Sequence, residues 1–489
     1  MGLITWIRTV WNKMFRDEIE QKFNTELQLS TLMEMWISKY YAITSGHPFW
    51  EDIEDDVKSI NFAGYIDDVT AGLVTLDIGV QCPQTPRGKN LQKQADYVLQ
   101  VINDKVSEGL GNCGLMFKAN GEGIDYMEPG TFAPTETDSN GNILGCVFQT
   151  LIYRNGWKYT RLEYHRFEGT GEEKVYRITN YAYKEKDSGN KGINHFDDLG
   201  KPCPLTEVKE WAGIAPDIAL SNIRRPLYAY FKNPAPNRVD RSSSLGVPIW
   251  HNATKELGDL DVAWCRKSNE TEDSKHMTFL PQSAIRYAEE HRIKLPRFLQ
   301  GVEMGVGVSE DNTVHEHVAT LLTEQRIKDI NSILAMISTK CGFSQGMFQL
   351  DEKTGMMTAT QVEADDQETI RTIKNIRDAL QSAITDLLYA VNVFADLYSD
   401  IPPENWEDTE LANGEIREGL ESQIEFNFGD ITYSYKEDKN TWLTYINQHL
   451  MPAWLYFTKF EGMEKEEAQE YVKEAKQSDQ SNSSLFGEE

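Results

Sequence analysis

The sequence predicts an α+β chain, and three observations carry the prediction. From Gly114 to Glu185 apolar and polar residues alternate through GLMFKA, GNILGCVFQTLIYR, WKYTRLEYHRFE and EKVYRITNYAYKE, broken by Asn-Gly, Gly-Asn and Gly-Thr-Gly turns. Much later, Ile370, Ile373, Ile376, Leu380, Ile384, Leu387, Val391 and Phe394 recur every three or four residues until Pro402-Pro403, which is the pattern of one long amphipathic helix. The chain of 489 residues, 40% apolar and 26% charged, has enough apolar material for two to four domains with real cores.

Taken in order, residues 1–15, MGLITWIRTVWNKMF, set Trp6, Ile7, Val10, Trp11, Met14 and Phe15 at helical spacing around Arg8 and Lys13. An interfacial membrane helix and a helix packed on a neighbour or another subunit both look like this, and its shortness favours packing. Trp6 stands where a myristoylation signal needs Ser or Thr. Helix-like sequence continues through Tyr41 and returns at Gln92–Val106. The period-two region that follows is antiparallel β. Helical spacing resumes near Trp250 to Cys265, with Leu257, Leu260, Val262 and Trp264 gathered on one side. A mixed stretch from Met277 to Val318 contains Pro281 and Pro296, and a second helix to Cys341 presents Leu321, Leu322, Ile330, Ile333, Leu334 and Ile337. Thr358 with Gln361, and Thr360 with Glu363, then form two overlapping capping boxes at the start of the long helix. Beyond Pro403 come IEFNF and ITYSY as strands, two helical patterns, and the polar tail KQSDQSNSSLFGEE, expected to be disordered.

Charge and cysteines narrow the function classes. A formal net charge of −28 repels phosphate on average and argues against a tight nucleic-acid binder held by counterion release. It does not argue against a protein that lets DNA slide past. Apolar runs stay short of a membrane span and no signal-peptide core opens the chain, so it is expected to remain in the cytoplasm where it is made. Cys82, Cys113, Cys146, Cys203, Cys265 and Cys341 form no CxxC pair, which points to reduced thiols rather than disulfides or zinc.

Three motifs suggest chemistry and fail on context. Gly109, Gly111 and Gly114 spell GxGxxG, but a helix precedes and a strand follows, the reverse of a dinucleotide site. Gly342, Ser344 and Gly346 spell GxSxG after a helix, where a nucleophile elbow needs a strand; a C-cap glycine fits better. His315 and His317 would diverge on a helix and have no third ligand nearby, so they are expected to be surface histidines. Nothing in the chain argues for an enzyme.

Three segments together, GNCGLMFKANGEGIDYMEPGTFAPTETDSNGNI, YFKNPAPNRVDRSSSLGVPIWHNATKELGDLDVAW and EQRIKDINSILAMISTKCGFSQGMFQLDEKTGMMTATQVEADDQETIRTIKNI, resemble the portal proteins of tailed bacteriophages, in the branch of long non-contractile-tailed phages. In that family a helix ends in a Gly-Leu-Ser-like turn, a short loop follows, and a Thr-Ala-Thr-Glu-Val-like cap opens a long helix. Here Phe343 replaces the Leu and Gln361 the Glu, each keeping its physical role. The sequence before Gly111 matches more loosely.

The resemblance implies a portal-like subunit with a mixed α/β wing, a helical stem, a small α/β clip, one very long helix and a helical crown. It places the N-terminal helical part of the wing at 1–110, the β-rich wing at 111–235, the first stem helix region at 236–275 and the clip at 276–318. The second stem helix falls at 319–344, a tunnel loop at 345–357, the long wing helix at 358–400, the return strands at 401–438, the crown at 439–476 and the tail at 477–489. It further implies a homo-oligomeric ring of about twelve copies at one capsid vertex. Double-stranded DNA would pass through that ring without sequence specificity during packaging and ejection. The implied partners are the large terminase subunit, a head–tail adaptor, scaffold and the major capsid protein, with no cofactor and no membrane. The implied location is the virion, after assembly in the host bacterial cytoplasm.

The DNA-facing candidates are Gln345, Gly346, Met347, Phe348, Gln349, Leu350, Asp351, Glu352, Lys353, Thr354, Gly355, Met356 and Met357. Gly346 and Gly355 would be the hinges of this loop and the capped helix its rigid arm. Met356 and Met357 fit equally a core at the helix entry and a subunit or lumen contact. A non-channel scaffold or minor head protein is the alternative reading, and a nucleic-acid enzyme lacks a carboxylate–metal motif.

Overall fold

Alternation between Leu115 and Lys186 builds antiparallel sheet, and the three-to-four spacing late in the chain builds a helix of 40 residues, so the chain is α+β. The computed structural model describes residues 16–51, 57–120, 123–169, 171–186, 199–273, 277–280, 288, 290–293, 298–300, 315–317, 322–350, 359–410, 416–429, 442, 446, 451–460, 463, 465–466 and 468–473. Two units divide at Phe428/Gly429, inside the 401–438 stretch expected to be one piece. The amphipathic segment 1–15, the strand ITYSY and the tail 477–489 lie outside the described residues.

The first unit opens with a helix at residues 16–23 and α1 (Thr31–Thr44), whose Ser30 cap accepts from the Met33 N–H at 3.2 Å. Next come α2 (Phe62–Val74), β1 (Gly79–Gln81) and α3 (Pro86–Leu110). α3 is longer than its apolar spacing predicts because Thr85 caps Gly88 N–H at 3.0 Å and Pro86 takes the first helical position.

Nine strands follow: β2 (Leu115–Ala119), β3 (Ile124–Met127), β4 (Phe132–Thr137), β5 (Ile143–Arg154), β6 (Trp157–Glu168), β7 (Val175–Lys186), β8 (Lys201–Cys203), β9 (Asp217–Ser221) and β10 (Tyr228–Phe231). Three of them pair in the order β10-β2-β3, and the other six form an antiparallel sheet in the order β4-β5-β6-β7-β8, with β9 on the other half of β7. Asn155 and Gly156, at φ of 52° and 76°, make the two-residue turn that sets Arg154 opposite Trp157. One face of the six-stranded sheet buries Val147, Leu162, Tyr164 and Tyr183 under Ile19 and Leu27 of the N-terminal segment.

The chain then leaves through α4 (Thr254–Asp273) and returns through α5 (Thr323–Cys341). Ion pairs join Lys340 to Glu256 and Arg326 to Glu270, end to start and start to end, so the two helices run antiparallel. Between them lie β11 (Met277–Leu280), β12 (Phe298–Gln300) and β13 (His315–His317), a small sheet in which β11 pairs parallel to β12 and antiparallel to β13. Thus the His315/His317 pair sits on a strand, which corrects the helical geometry expected for it. Leu322 is another departure: it is 45% exposed, one residue before α5 begins.

α6 (Ala359–Tyr398) spans about 60 Å. It packs on α2, α3, β2 and β10. Ile373, Ile376, Leu380, Ile384 and Leu387 are buried as their spacing predicts. From Leu387 to Val393 every residue is buried, so this part of the helix is enclosed on all sides rather than amphipathic. A small hairpin, β14 (Thr409–Glu410) with β15 (Ile416–Arg417), follows, and β16 (Glu425–Asn427), from IEFNF, pairs across the chain with β1. In the second unit α7 (Trp454–Phe460) sets Phe457 edge-on to Tyr471 at 5.0 Å, with Lys459 over Trp442 at 4.3 Å.

Candidate functional site

The connection between α5 and α6 is built from its two ends. At the end of α5, Gly342 takes φ +82°, its N–H reaches Thr339 O at 3.1 Å, and Phe343 N–H reaches Ser338 O at 2.9 Å. These are the paired bonds of a Schellman cap, with Phe343 fully buried as its apolar anchor. The GxSxG sequence is therefore a helix terminus. A side chain at Gly342 would meet Thr372 Oγ1 at 2.7 Å, so glycine is required twice over.

Two threonines of α6 hold this turn against the long helix. Thr372 Oγ1 donates to Gly342 O at 2.5 Å, and Thr369 Oγ1 accepts from Ser344 N–H at 3.0 Å. Further on, Leu350 N–H donates to Asn331 Oδ1 at 2.9 Å, back on α5. The first half of the connection is thus stapled to both helices.

Sequence reasoning assigned thirteen residues from Gln345 to Met357 to this loop, and they do not share one environment. Gln345, Gln349 and Leu350 are exposed, and Gly346 and Met347 are half-buried. Phe348 departs from its expectation as a channel-facing residue: it is buried, with its ring 5.6 Å from Phe62 and 5.7 Å from Phe343. Packing between α2 and the α5 terminus, rather than its neighbours in sequence, sets its burial. Asp351 to Met357 and Thr358 lie outside the described residues. The described part of α6 begins at Ala359 and has Thr360, Gln361 and Glu363 inside its first turns. The expected second cap at Thr360 is corrected accordingly. Glu363, Asp365, Asp366 and Glu368 make this end of α6 acidic, the favourable sign at a helix N-terminus.

The frame around the long helix rests on buried cations that no local pattern announces. Arg87 of α3, fully buried, donates to Asn392 O at 3.0 Å, Ile401 O at 3.1 Å and Pro402 O at 3.2 Å, and pairs with Asp396. Arg377 of α6 donates to Leu73 O at 2.8 Å and Val74 O at 3.0 Å, capping the last carbonyls of α2. The only signals in sequence were an arginine beside a helix-starting proline and an arginine within an apolar stripe.

GxGxxG is likewise packing. Side chains at Gly109, Gly111 and Gly114 would strike Phe231, Asp67 and the Phe231 carbonyl at 2.9, 2.5 and 2.5 Å. Asp67 accepts from Trp250 Nε1–H at 3.1 Å, and burial pushes its carboxyl well above the usual range. Among the described residues no group of three His, Cys, Asp or Glu is placed to hold a metal ion, and no helix is long and apolar enough to cross a membrane.

Comparison with known proteins finds no family that matches this chain and no match among curated proteins.

Proposed function

We propose that the chain is a portal-type subunit that assembles into a ring-shaped channel at one capsid vertex, passes double-stranded DNA during packaging and ejection, and anchors the terminase and head–tail adaptor. The observation that carries this reading is the antiparallel pair α4/α5 enclosing the small β11–β13 sheet and returning through the Gly342 turn into the 40-residue α6. That order supports a stem, a clip, a loop and a long wing helix in sequence. The mechanism follows from the staples. A loop that touches a moving polymer must flex without disturbing the wall behind it, and Thr369 and Thr372 fix its base to a rod seated in the core. Carboxylates clustered at the start of α6 disfavour a lasting grip on phosphate, so DNA would slide rather than bind.

Native mass spectrometry and negative-stain imaging of the purified protein test the proposal. The expected result is a closed ring of about twelve or thirteen copies. Monomers and dimers alone, at high concentration and with capsid protein present, overturn it and favour a scaffold or minor head protein.

A further inference from the structure

In a chain of net charge −28, one end of the six-stranded sheet carries an open row of cations around an exposed tryptophan. Register places them together. Arg154 of β5 pairs with Trp157 of β6, and Trp157 pairs with Lys186 of β7, so the three stand on one face in a single cross-strand row about 10 Å wide. The next row inward on that face runs Ile152, Tyr159, Lys184 and Lys201. The two rows differ in what covers them. Ile152 and Tyr159 are packed under Leu205, Val208 and Trp211, whereas Trp157 beyond that cover is 40% exposed.

Charges in the patch divide the same way. Arg154 pairs with Glu210 at 2.6 Å and Lys184 with Glu207 at 2.7 Å. Lys186 and Lys201, both exposed, have no carboxylate partner among the described residues. An exposed indole and two ammonium groups with no carboxylate partner among the described residues contribute little to stability where they stand. The tight Asn-Gly turn places Trp157 at the sheet end, and Lys184 Nζ lies 5.9 Å from its ring.

We infer that this sheet end is a binding surface for a single-stranded nucleic acid, a base stacking on Trp157 while Lys186, Lys201 and Arg154, the last exchanging Glu210 for the ligand, meet the flanking phosphates. A flat aromatic on an open sheet face between cations is how proteins hold unpaired strands, since each base offers a π-face and each link a negative charge. A duplex hides its bases in the stack and would use only the cations. The inference is independent of the portal reading, because it concerns a different part of the molecule and needs no ring.

Fluorescence anisotropy of the full chain with a labelled oligothymidine strand, the corresponding duplex and polyglutamate is the test. The expected result is binding of the single strand in preference to the duplex, with a log–log salt slope of about −2 for three phosphate contacts. Trp157→Ala should weaken it about tenfold, and Lys186→Glu with Lys201→Glu should remove it, both without a change in melting temperature. Lys89→Glu with Lys93→Glu, exposed on α3 and equal in charge change, should leave binding intact. No binding of the single strand, equal binding of the duplex with Trp157→Ala neutral, an equal loss in the α3 variant, or binding of polyglutamate instead would each overturn the inference.

Discussion

Lys118 shows how much of this fold depends on single side chains. Almost fully buried on β2, it crosses from the three-stranded sheet to Glu163 of β6 at 2.6 Å. Glu163 also receives Arg161 at 3.0 Å and the Nε2–H of His165 at 2.8 Å, while His165 Nδ1 accepts from the Tyr176 hydroxyl at 2.9 Å and that hydroxyl accepts from Leu227 N–H at 3.0 Å. A neutral imidazole with its proton on Nε2 satisfies both ring contacts. Burial lowers the His165 pKa against the pull of Glu163. For Glu163 burial acts upward, but Lys118, His165 and Arg161 outweigh it and hold the carboxyl well below the usual range. Both groups therefore take up protons more readily in the unfolded chain. Their contribution to stability is whole above the ordinary histidine pKa of 6.5, shrinks as pH falls through it, and shrinks again below the ordinary glutamate value of 4.5. His165→Gln should flatten the upper limb of a melting-temperature profile between about pH 6.5 and 5 and keep the lower limb; an unchanged upper limb would exclude His165 as its source. Lys118→Met removes the closest cation from Glu163 in the interior and should destabilise by about 3–5 kcal/mol in denaturant unfolding, and a loss under about 1 kcal/mol would show that Arg161 and His165 satisfy it without the lysine. None of this was legible beforehand, because lysine, glutamate and arginine on alternating strands read as a solvent face until a second sheet is laid over them.

Elements were more legible where their signals were local. The Gly342 terminus, the Asn155-Gly156 hairpin and the α5 core residues Ile330, Leu334 and Ile337 follow from capping, turn and spacing rules that need no tertiary information. The His315–His317 strand was missed because three residues carry no periodicity, and β16 could not be matched to β1 because the two lie far apart in sequence. Phe348 was misplaced for a similar reason: its loop neighbours are polar, and its partner Phe62 comes from α2. Variants sort these environments. Gln349→Lys, on an exposed residue, should shift stability by less than about 0.5 kcal/mol. Phe348→Ala should lose about 3–5 kcal/mol as a core substitution. Ile384→Asp, 1% exposed in α6, should cost several kcal/mol by burying an unpaired charge. Thermal melts of the three decide the matter: a stable Phe348→Ala would return that residue to the surface, and an early-melting Gln349→Lys would move the whole turn into the core. If the loop meets DNA, Gln349→Lys should also lower packaged DNA in a complementation assay while soluble ring yield holds.

Across the whole molecule the excess of carboxylates governs encounters. Duplex DNA should bind weakly and with a shallow salt slope, since 77 acidic residues outnumber 49 basic ones and repel phosphate on average. Filter binding near physiological salt checks this, and nanomolar duplex affinity would contradict it. The enclosure of Leu387–Val393 has a consequence of another kind, for synthesis. The groups that surround it come from far upstream: Arg87 bonds Asn392 O across 305 residues, and the Tyr389 hydroxyl accepts from Arg224 N–H across 165. A ribosome adding roughly 5–20 residues per second needs about 15–60 s to travel from the first of these partners to the last. Once β10 has emerged, α2, α3 and the β10-β2-β3 sheet stand without the helix that fills the space between them. The nascent chain must carry an open apolar cradle for about a third of its elongation, a natural substrate for chaperones, and it closes only when about four-fifths of the protein has left the exit tunnel.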